Sequence, residues 1–531
     1  MAQQPQQQQE QAAQPQQMVV FEGFTGLNTQ ASRYGIGDKE CAIMDGWFPA
    51  GNDNARIIPD NGPAVYTVPP GLTISYYDFF NIGATPYAVI FPSDGRIVML
   101  NTATGVTTQL TSPGVIANPG GGGVGVTQWG STYALIVSDQ PNGYFVWDGA
   151  ATITTPGNTI PSGGGVVPTG IRGTAIETYQ SRVWIANGSS VVFSAPGSVV
   201  DFSTPSGGGS FTSNDPSLRV KYTVLKAANG YLYLFGDSSL SYLANPQTGG
   251  SPVVTTYSLQ NADPEVGTIW PNTVDVLGSN IVFANSTGAQ VSLGGRVAKV
   301  SDSLDGVYSS LPNFGGLIPS AAKATMFGRR VWSLLLPVVD QVTLQPTNKL
   351  FIWDEKRWCS ASQSAALTFV QHQEINSVIT AWGTDGTSLY RLFQTPSVAL
   401  TKTIRSKFWA PAGGYARTKA ENRIWGLARV SGGVSVSLGI SVDSEKGSST
   451  KTVTLAPAIA AWTNNVGAAV VWTNNVGAVV TWFTRSEDTI VFPPNDCGQA
   501  GALVGFTVST NAADMALVSV ATMPVDVGYR G

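Results

Sequence analysis

The chain carries a single histidine, His372, three cysteines (Cys41, Cys359 and Cys497), and carboxylates scattered among repeated turns. A Ser-His-Asp triad would have to use His372, and no G-x-S-x-G elbow accompanies it. One imidazole with no cysteine near it in sequence does not make a metal site, so His372 reads as structural. The cysteines are isolated, odd in number and without metal-ligand spacing, which reads as reduced or buried thiols. No glycine-rich loop leads into Lys-Ser/Thr, and the glycine-rich stretch from Gly120 to Gly125 follows Pro119 and reads as a loop rather than a phosphate cradle. The one open enzymatic chemistry is glycoside hydrolysis by paired carboxylates at the axis of a propeller. Asp94, Asp148, Glu177, Asp237, Asp354 and Asp385 are available, but most sit in Asp-Gly or Gly-Asp turns, where Asp serves the turn itself. The S-x-D-x-G-x-T-W box of sialidase blades is absent. The residues therefore predict no enzyme, no cofactor and no metal.

The elements that would position any site are β-hairpins, and they recur. Tyr179 to Phe202 reads as a strand from Arg182 to Asn187, a Gly188-Ser189 turn, and a return strand from Val191 to Ala195. Val183, Ile185, Val191 and Phe193 are its expected core. Similar hairpins begin at Tyr87, Tyr133, Gly230, Asn280, Arg329 and Ser377, with starts roughly 46 to 50 residues apart, the range of four-stranded propeller blades. A hairpin with one aqueous face cannot bury the other alone, and radial stacking solves this. The alternative is a set of unrelated sandwich hairpins.

Composition agrees with β structure. The 531 residues include 60 Gly and 32 Pro, and no apolar 3.6-residue period persists. Charged residues make up 12%, against about a quarter in ordinary soluble domains, as expected of a surface covered by neighbours. The net charge of −4 supplies no global basic field to hold nucleic acid. The apolar runs are too short to span a bilayer, and the polar N-terminus does not read as a secretory signal.

Residues 1–17 are Gln-rich and read as an arm, disordered or ordered by assembly. From Met18 an apolar strand enters glycine-rich turns, Asp38 to Pro49 has room for one helical turn, and Ala55 to Ile58 reads as a strand. After Thr401, Lys402, Arg405, Lys407, Arg417, Lys419, Arg423 and Arg429 interleave with Phe408, Trp409, Tyr415 and Trp425, and an alternating strand follows from Val434. The basic side chains read either as facing DNA or an acidic neighbour, or as a solvated face with local ion pairs. AWTNNVGAAV from Ala461 is repeated ten residues later, which would stack Trp462, Trp472 and Trp482 as packing or subunit-contact anchors. Further strands are expected at Thr489 to Phe492, Ala502 to Ser509 and Met515 to Val520.

Phe21, Gly23, Leu27, Asn28, the segment Asp38 to Asp45, Arg56 and the Pro59 to Gly62 turn, in that order, resemble the start of tail proteins of short-tailed double-stranded DNA bacteriophages. The basic strand, the Lys419-x-x-x-Arg423 spacing and Asp443 are similar to the domain that follows the propeller in that group. The closest family is the tail nozzle, or tail tubular protein B. The resemblance implies an all-β chain: an irregular propeller of about seven blades (six to eight) over 71–398, with a β-sandwich-like domain built from residues 18–70 and 399–531. It implies a virion protein, made in the host cytoplasm, that forms a homohexameric ring. Its partners would be adaptor or portal-proximal proteins, tail fibres and double-stranded DNA in passage, with no membrane insertion. Such a ring would retain the packaged genome and open for ejection. Arg405, Lys407, Arg417, Lys419 and Arg423 are the candidate subunit-contact or channel residues. A receptor- or glycan-binding tail protein without a channel, and a propeller glycosidase, are the competing classes.

Overall fold

A computed structural model describes residues 18–51, 54–153, 170–213, 221–292, 296–311, 319–339, 346–410, 417–431, 435–455, 472–473, 479–480 and 487–529. The chain divides into two compact units, one spanning 58–400 and the other built from both chain ends, 1–57 and 401–531.

The unit from 58 to 400 is a β-propeller. Among the described residues, seven antiparallel blades follow one another in chain order, beginning with Ile74–Ile82, Val124–Trp129, Ala175–Tyr179, Tyr222–Ala228, Asp275–Leu277, Ser320–Met326 and Phe369–Ile375. The seven hairpins expected from sequence are the second and third strands of these blades. In the third blade, for example, Arg182–Asn187 pairs with Ser190–Phe193, placing Trp184 opposite Phe193. Val183, Ile185, Val191 and Phe193 are all buried. The tight turn before that hairpin holds Gln180 and Ser181 at φ of 45° and 53°, the left-handed pair that a two-residue turn between twisted strands needs.

The core lies between blades. One cluster joins Tyr77, Phe80 and Ile90 of the first blade to Phe145 and Trp147 of the second and to Phe369 and Trp382 of the last. Further clusters join the second blade to the third, the third to the fourth and the fourth to the fifth. Among the described residues, apolar clusters thus seal five of the junctions between blades, including the one where the last blade meets the first.

Closure is also made by backbone. The last blade takes its outer strand from Ala64–Thr67, which precedes the first blade in sequence and pairs with Ser388–Arg391. Thr67 Oγ1 and Ser388 Oγ lie 2.9 Å apart across that pairing. Residues 58–70 therefore belong with the propeller, and the first boundary falls after Ile57 rather than at 70.

Among its described residues, the unit built from the chain ends contains two large sheets and one two-stranded piece. In one, Arg417–Ser431 lies between Glu487–Gly501 and Ala516–Tyr529, and the last of these also takes up Val19–Glu22 and Asn54–Ile57. In the other, Glu40–Asp45 pairs with Lys402–Ser406, which continues through Val504–Thr510 and Val436–Ser444 to Gly447–Leu455. Phe21 of the first sheet meets Phe506 of the second with ring centroids 5.2 Å apart. The helical turn expected between Asp38 and Pro49 is not formed. Glu40–Asp45 and Trp47–Gly51 are strands, because burial of Cys41, Met44, Trp47 and Phe48 against distant partners overrides the local preference. Val436, Leu438 and Ile440 are buried in alternation, as expected of a half-buried strand, but from Ile440 to Ser444 every residue is buried.

Candidate functional site at the propeller axis

Each blade's first strand carries a polar side chain at a matched position near the axis. These are Asp78, Thr127, Glu177, Lys226, Asp275, Lys323 and His372, spaced 48 to 50 residues apart in the chain. Side chains alternate along a strand, so the preceding residue turns into the packing between blades; Tyr77, Ile176, Leu225 and Ala322 are accordingly buried. Six of the seven polar residues line one axial cavity of about 400 Å³, and the seventh, Lys323, places Nζ 3.2 Å from Asp275 Oδ1. A second cavity, of about 100 Å³, shares Asp78, Glu177 and Lys226 with the first. Those three charged side chains are thus common to the walls of both cavities.

Its electrostatics are those of one network. Burial pushes the Asp78 carboxyl up to about 6, although it accepts the Phe79 N–H at 2.8 Å and the Tyr76 hydroxyl at 3.1 Å. Burial also raises Glu177, despite donors from Thr127 at 3.2 Å and the Thr178 N–H at 3.0 Å. Asp275 is buried too, but His372, Lys323 and Lys226 outweigh desolvation and hold its carboxyl below the usual range. Burial lowers His372 to about 4, so the imidazole is neutral at pH 7. Its Nδ1 lies 3.2 Å from Asp275 Oδ2 without the alignment of a hydrogen bond. Lys226 would be lowered by burial, but Glu177, Asp275 and Asp78 together raise it, and it stays an ammonium. Among the described residues, Lys226 Nζ makes no hydrogen bond or ion pair.

A raised carboxyl beside an ionised one is the pattern that separates a general acid from a base. Here it is shared among three carboxylates, two ammonium groups and an imidazole, an arrangement suited to holding a charged small molecule. No group of three His, Cys, Asp or Glu side chains among the described residues converges as a metal site.

Of the carboxylates singled out in sequence, Asp148, Asp354 and Asp385 cap their own turns, with Asp385 Oδ1 accepting the Thr387 and Ser388 N–H groups at 2.8 Å each. Asp94 also pairs with Arg96. Glu177 alone stands on a first strand at the axis. Asp78, Asp275, Lys226 and Lys323 were not picked out by sequence reasoning, and His372, read as structural, faces the cavity. The signal that could have found them is the spacing, not the residue type.

The basic residues are divided between the two sheets of the other unit. Arg405 is exposed on Lys402–Ser406, with Nε 3.3 Å from Thr507 Oγ1, and Lys407 Nζ lies 2.6 Å from Asp38 Oδ1. Arg417, Lys419 and Arg423 all lie on Arg417–Ser431. Register sets Lys419 opposite Asp526 and Arg423 opposite Asp496. Arg423 is exposed, while the side chains of Arg417 and Lys419 lie outside the described residues. Trp472 pairs with Val480 in a two-stranded piece, and its side chain, with all of Trp462 and Trp482, is outside the described residues, as is the arm 1–17. Cys41 and Cys359 are buried and not joined in a disulfide.

Fold and axis define, among the described residues, a seven-bladed β-propeller in a chain whose two ends together form a separate β domain. No family model and no curated protein matches the chain. Solved structures similar to it include YCF48 bound to D1 peptide (11% identity, TM-score 0.37, covering 63% of this chain and 97% of that one). BamB from Moraxella catarrhalis is similar at 12% identity and a TM-score of 0.31, over 70% of this chain and all of that one. The extracellular domain of a protein described as a hybrid two-component system from B. thetaiotaomicron gives 12% identity and a TM-score of 0.38 over 68% of this chain. The chain spans less than half the length of that last structure, 43%.

Proposed function

We propose that the chain is a nozzle-like structural component of a bacteriophage tail, a homohexameric ring that retains the packaged genome and opens for its ejection. The observation that carries this reading is the discontinuous β domain. Val19–Glu22 pairs with Ala516–Tyr529 and Glu40–Asp45 with Lys402–Ser406, so the whole propeller is one insertion between the two halves of a domain. That is the order of parts the family resemblance implies. The charged side chains gathered at the axis support a channel formed between copies rather than through a propeller. The low charge content supports a surface covered by adaptor and neighbouring tail proteins. Exposed Arg405 and Arg423 are the described candidates for subunit or DNA contact. Negative-stain images of the purified protein or of tails test the proposal: a six-fold ring with a central hole is expected, and a monomer or trimer without a pore overturns it.

One observation favours the receptor-binding alternative. Tyr231 is 38% exposed and meets Tyr242 edge-on at 5.0 Å, an aromatic surface on which a sugar ring could stack. Binding to host envelopes by a protein that forms no ring would select that class.

A further inference from the structure

We propose that the larger axial cavity binds a small zwitterion with surplus positive charge, of the basic amino-acid class. Four carboxylates line it (Asp78, Glu177, Asp275 and Glu374) against one ammonium, Lys226. Asp275 and Lys323, 3.2 Å apart, offset one another, which leaves Asp78, Glu177 and Glu374 against Lys226. The cavity wall is therefore net negative with the imidazole neutral, and a cationic group is attracted to it.

Lys226 adds the second requirement. Against burial, its pKa is raised by Glu177, Asp275 and Asp78, yet among the described residues no carboxylate comes within 4.0 Å of Nζ and no protein group accepts a hydrogen bond from it. An ammonium has three donors. A ligand carboxylate on Nζ would satisfy them, while the ligand's ammonium or guanidinium would face Asp78 and Glu177, whose oxygens retain acceptor capacity beside the bonds they already make. A simple cation would leave Lys226 repelled, and a simple anion would add to the surplus negative charge. A volume of about 400 Å³ lies within the range of small-molecule sites and admits a single amino acid with water.

The test is isothermal titration calorimetry on the full chain with L-arginine and with agmatine, which has the same guanidinium and no carboxylate. L-Arginine is expected to bind one per chain, and agmatine at least tenfold more weakly. Lys226→Met is expected to bring L-arginine down to the agmatine level, Lys226→Arg to restore part of the difference, and Glu177→Gln to weaken both ligands. The comparison of the two ligands on the unaltered protein stands even if a variant fails to fold. No heat with L-arginine, or equal affinity for agmatine, overturns the proposal.

Discussion

Arg33 and Asp443, 410 positions apart in the chain, form an ion pair of 2.6 Å in the domain made by the chain ends. Both side chains are largely buried. The guanidinium also donates to the Ser406 and Phe506 carbonyls, at 2.6 and 3.1 Å, and stacks 4.0 Å over Phe408. Asp443 in turn accepts the Thr507 hydroxyl at 2.6 Å. Removing one partner strands a buried charge, which typically costs about 3–5 kcal/mol. Arg33→Met should lower the stability of this domain by that order in urea unfolding. The double variant with Asp443→Asn should recover part of the loss, and strict additivity would show that the two residues are not coupled.

The axis predicts opposing pH effects. Asp78 titrates near 6 in the fold and near 3.9 when unfolded, so its contribution is fully present below about pH 4 and declines as pH rises through 6. His372 is depressed to about 4 from about 6.5, so its contribution rises with pH across that same range and is lost in acid. Asp78→Asn should therefore gain stability relative to the parent above pH 6. His372→Gln should flatten the acid side between about pH 4 and 6.5. Melting temperatures measured from pH 4 to 8 would reveal both, and parallel curves for all three proteins would contradict the assignment.

Closure by Ala64–Thr67 predicts where the propeller can be cut. A fragment of residues 58–400 should melt cooperatively, whereas 71–400, lacking the outer strand of the last blade, should melt at a lower temperature and be more readily proteolysed. Equal melting of the two fragments would remove any role for that strand in closure.

Trp184 is fully buried and stacks against Phe193 at 4.9 Å, while its indole N–H donates to the Tyr179 carbonyl at 3.1 Å. Trp184→Ala should cost about 3–5 kcal/mol through the cavity it leaves. Differential scanning calorimetry should show the propeller transition shifted and any transition of the other unit unmoved.

The blades were legible in sequence because their middle hairpins repeat a composition: β-branched and aromatic runs around a polar turn, as at Ile185 and Val191. The axial ring was not, because no residue type repeats there. Asp, Thr, Glu, Lys, Asp, Lys and His share only a position, and position emerges only when the first strands are aligned. Ala64–Thr67 was assigned to the wrong unit for a related reason. Its partner lies more than 300 residues away, and nothing local distinguishes a closing strand from a strand of the preceding domain. Glu177 shows both sides of this limit: its residue type drew attention, but its difference from the turn-capping Asp385 required the blade around it.

The pairing of Val19–Glu22 with Ala516–Tyr529 also orders events on the ribosome. Val19–Glu22 emerges before the propeller and its neighbour only after it, whereas the propeller has every strand it needs once Arg391 has been made. The inserted unit can therefore fold while the domain that carries it is still half-synthesised. During that interval the early strands expose unpaired edges, the state in which nascent chains associate wrongly. Slow emergence of residues 401–531 would prolong that exposure, making yield of this protein more sensitive to elongation rate over those residues than over residues 1–57.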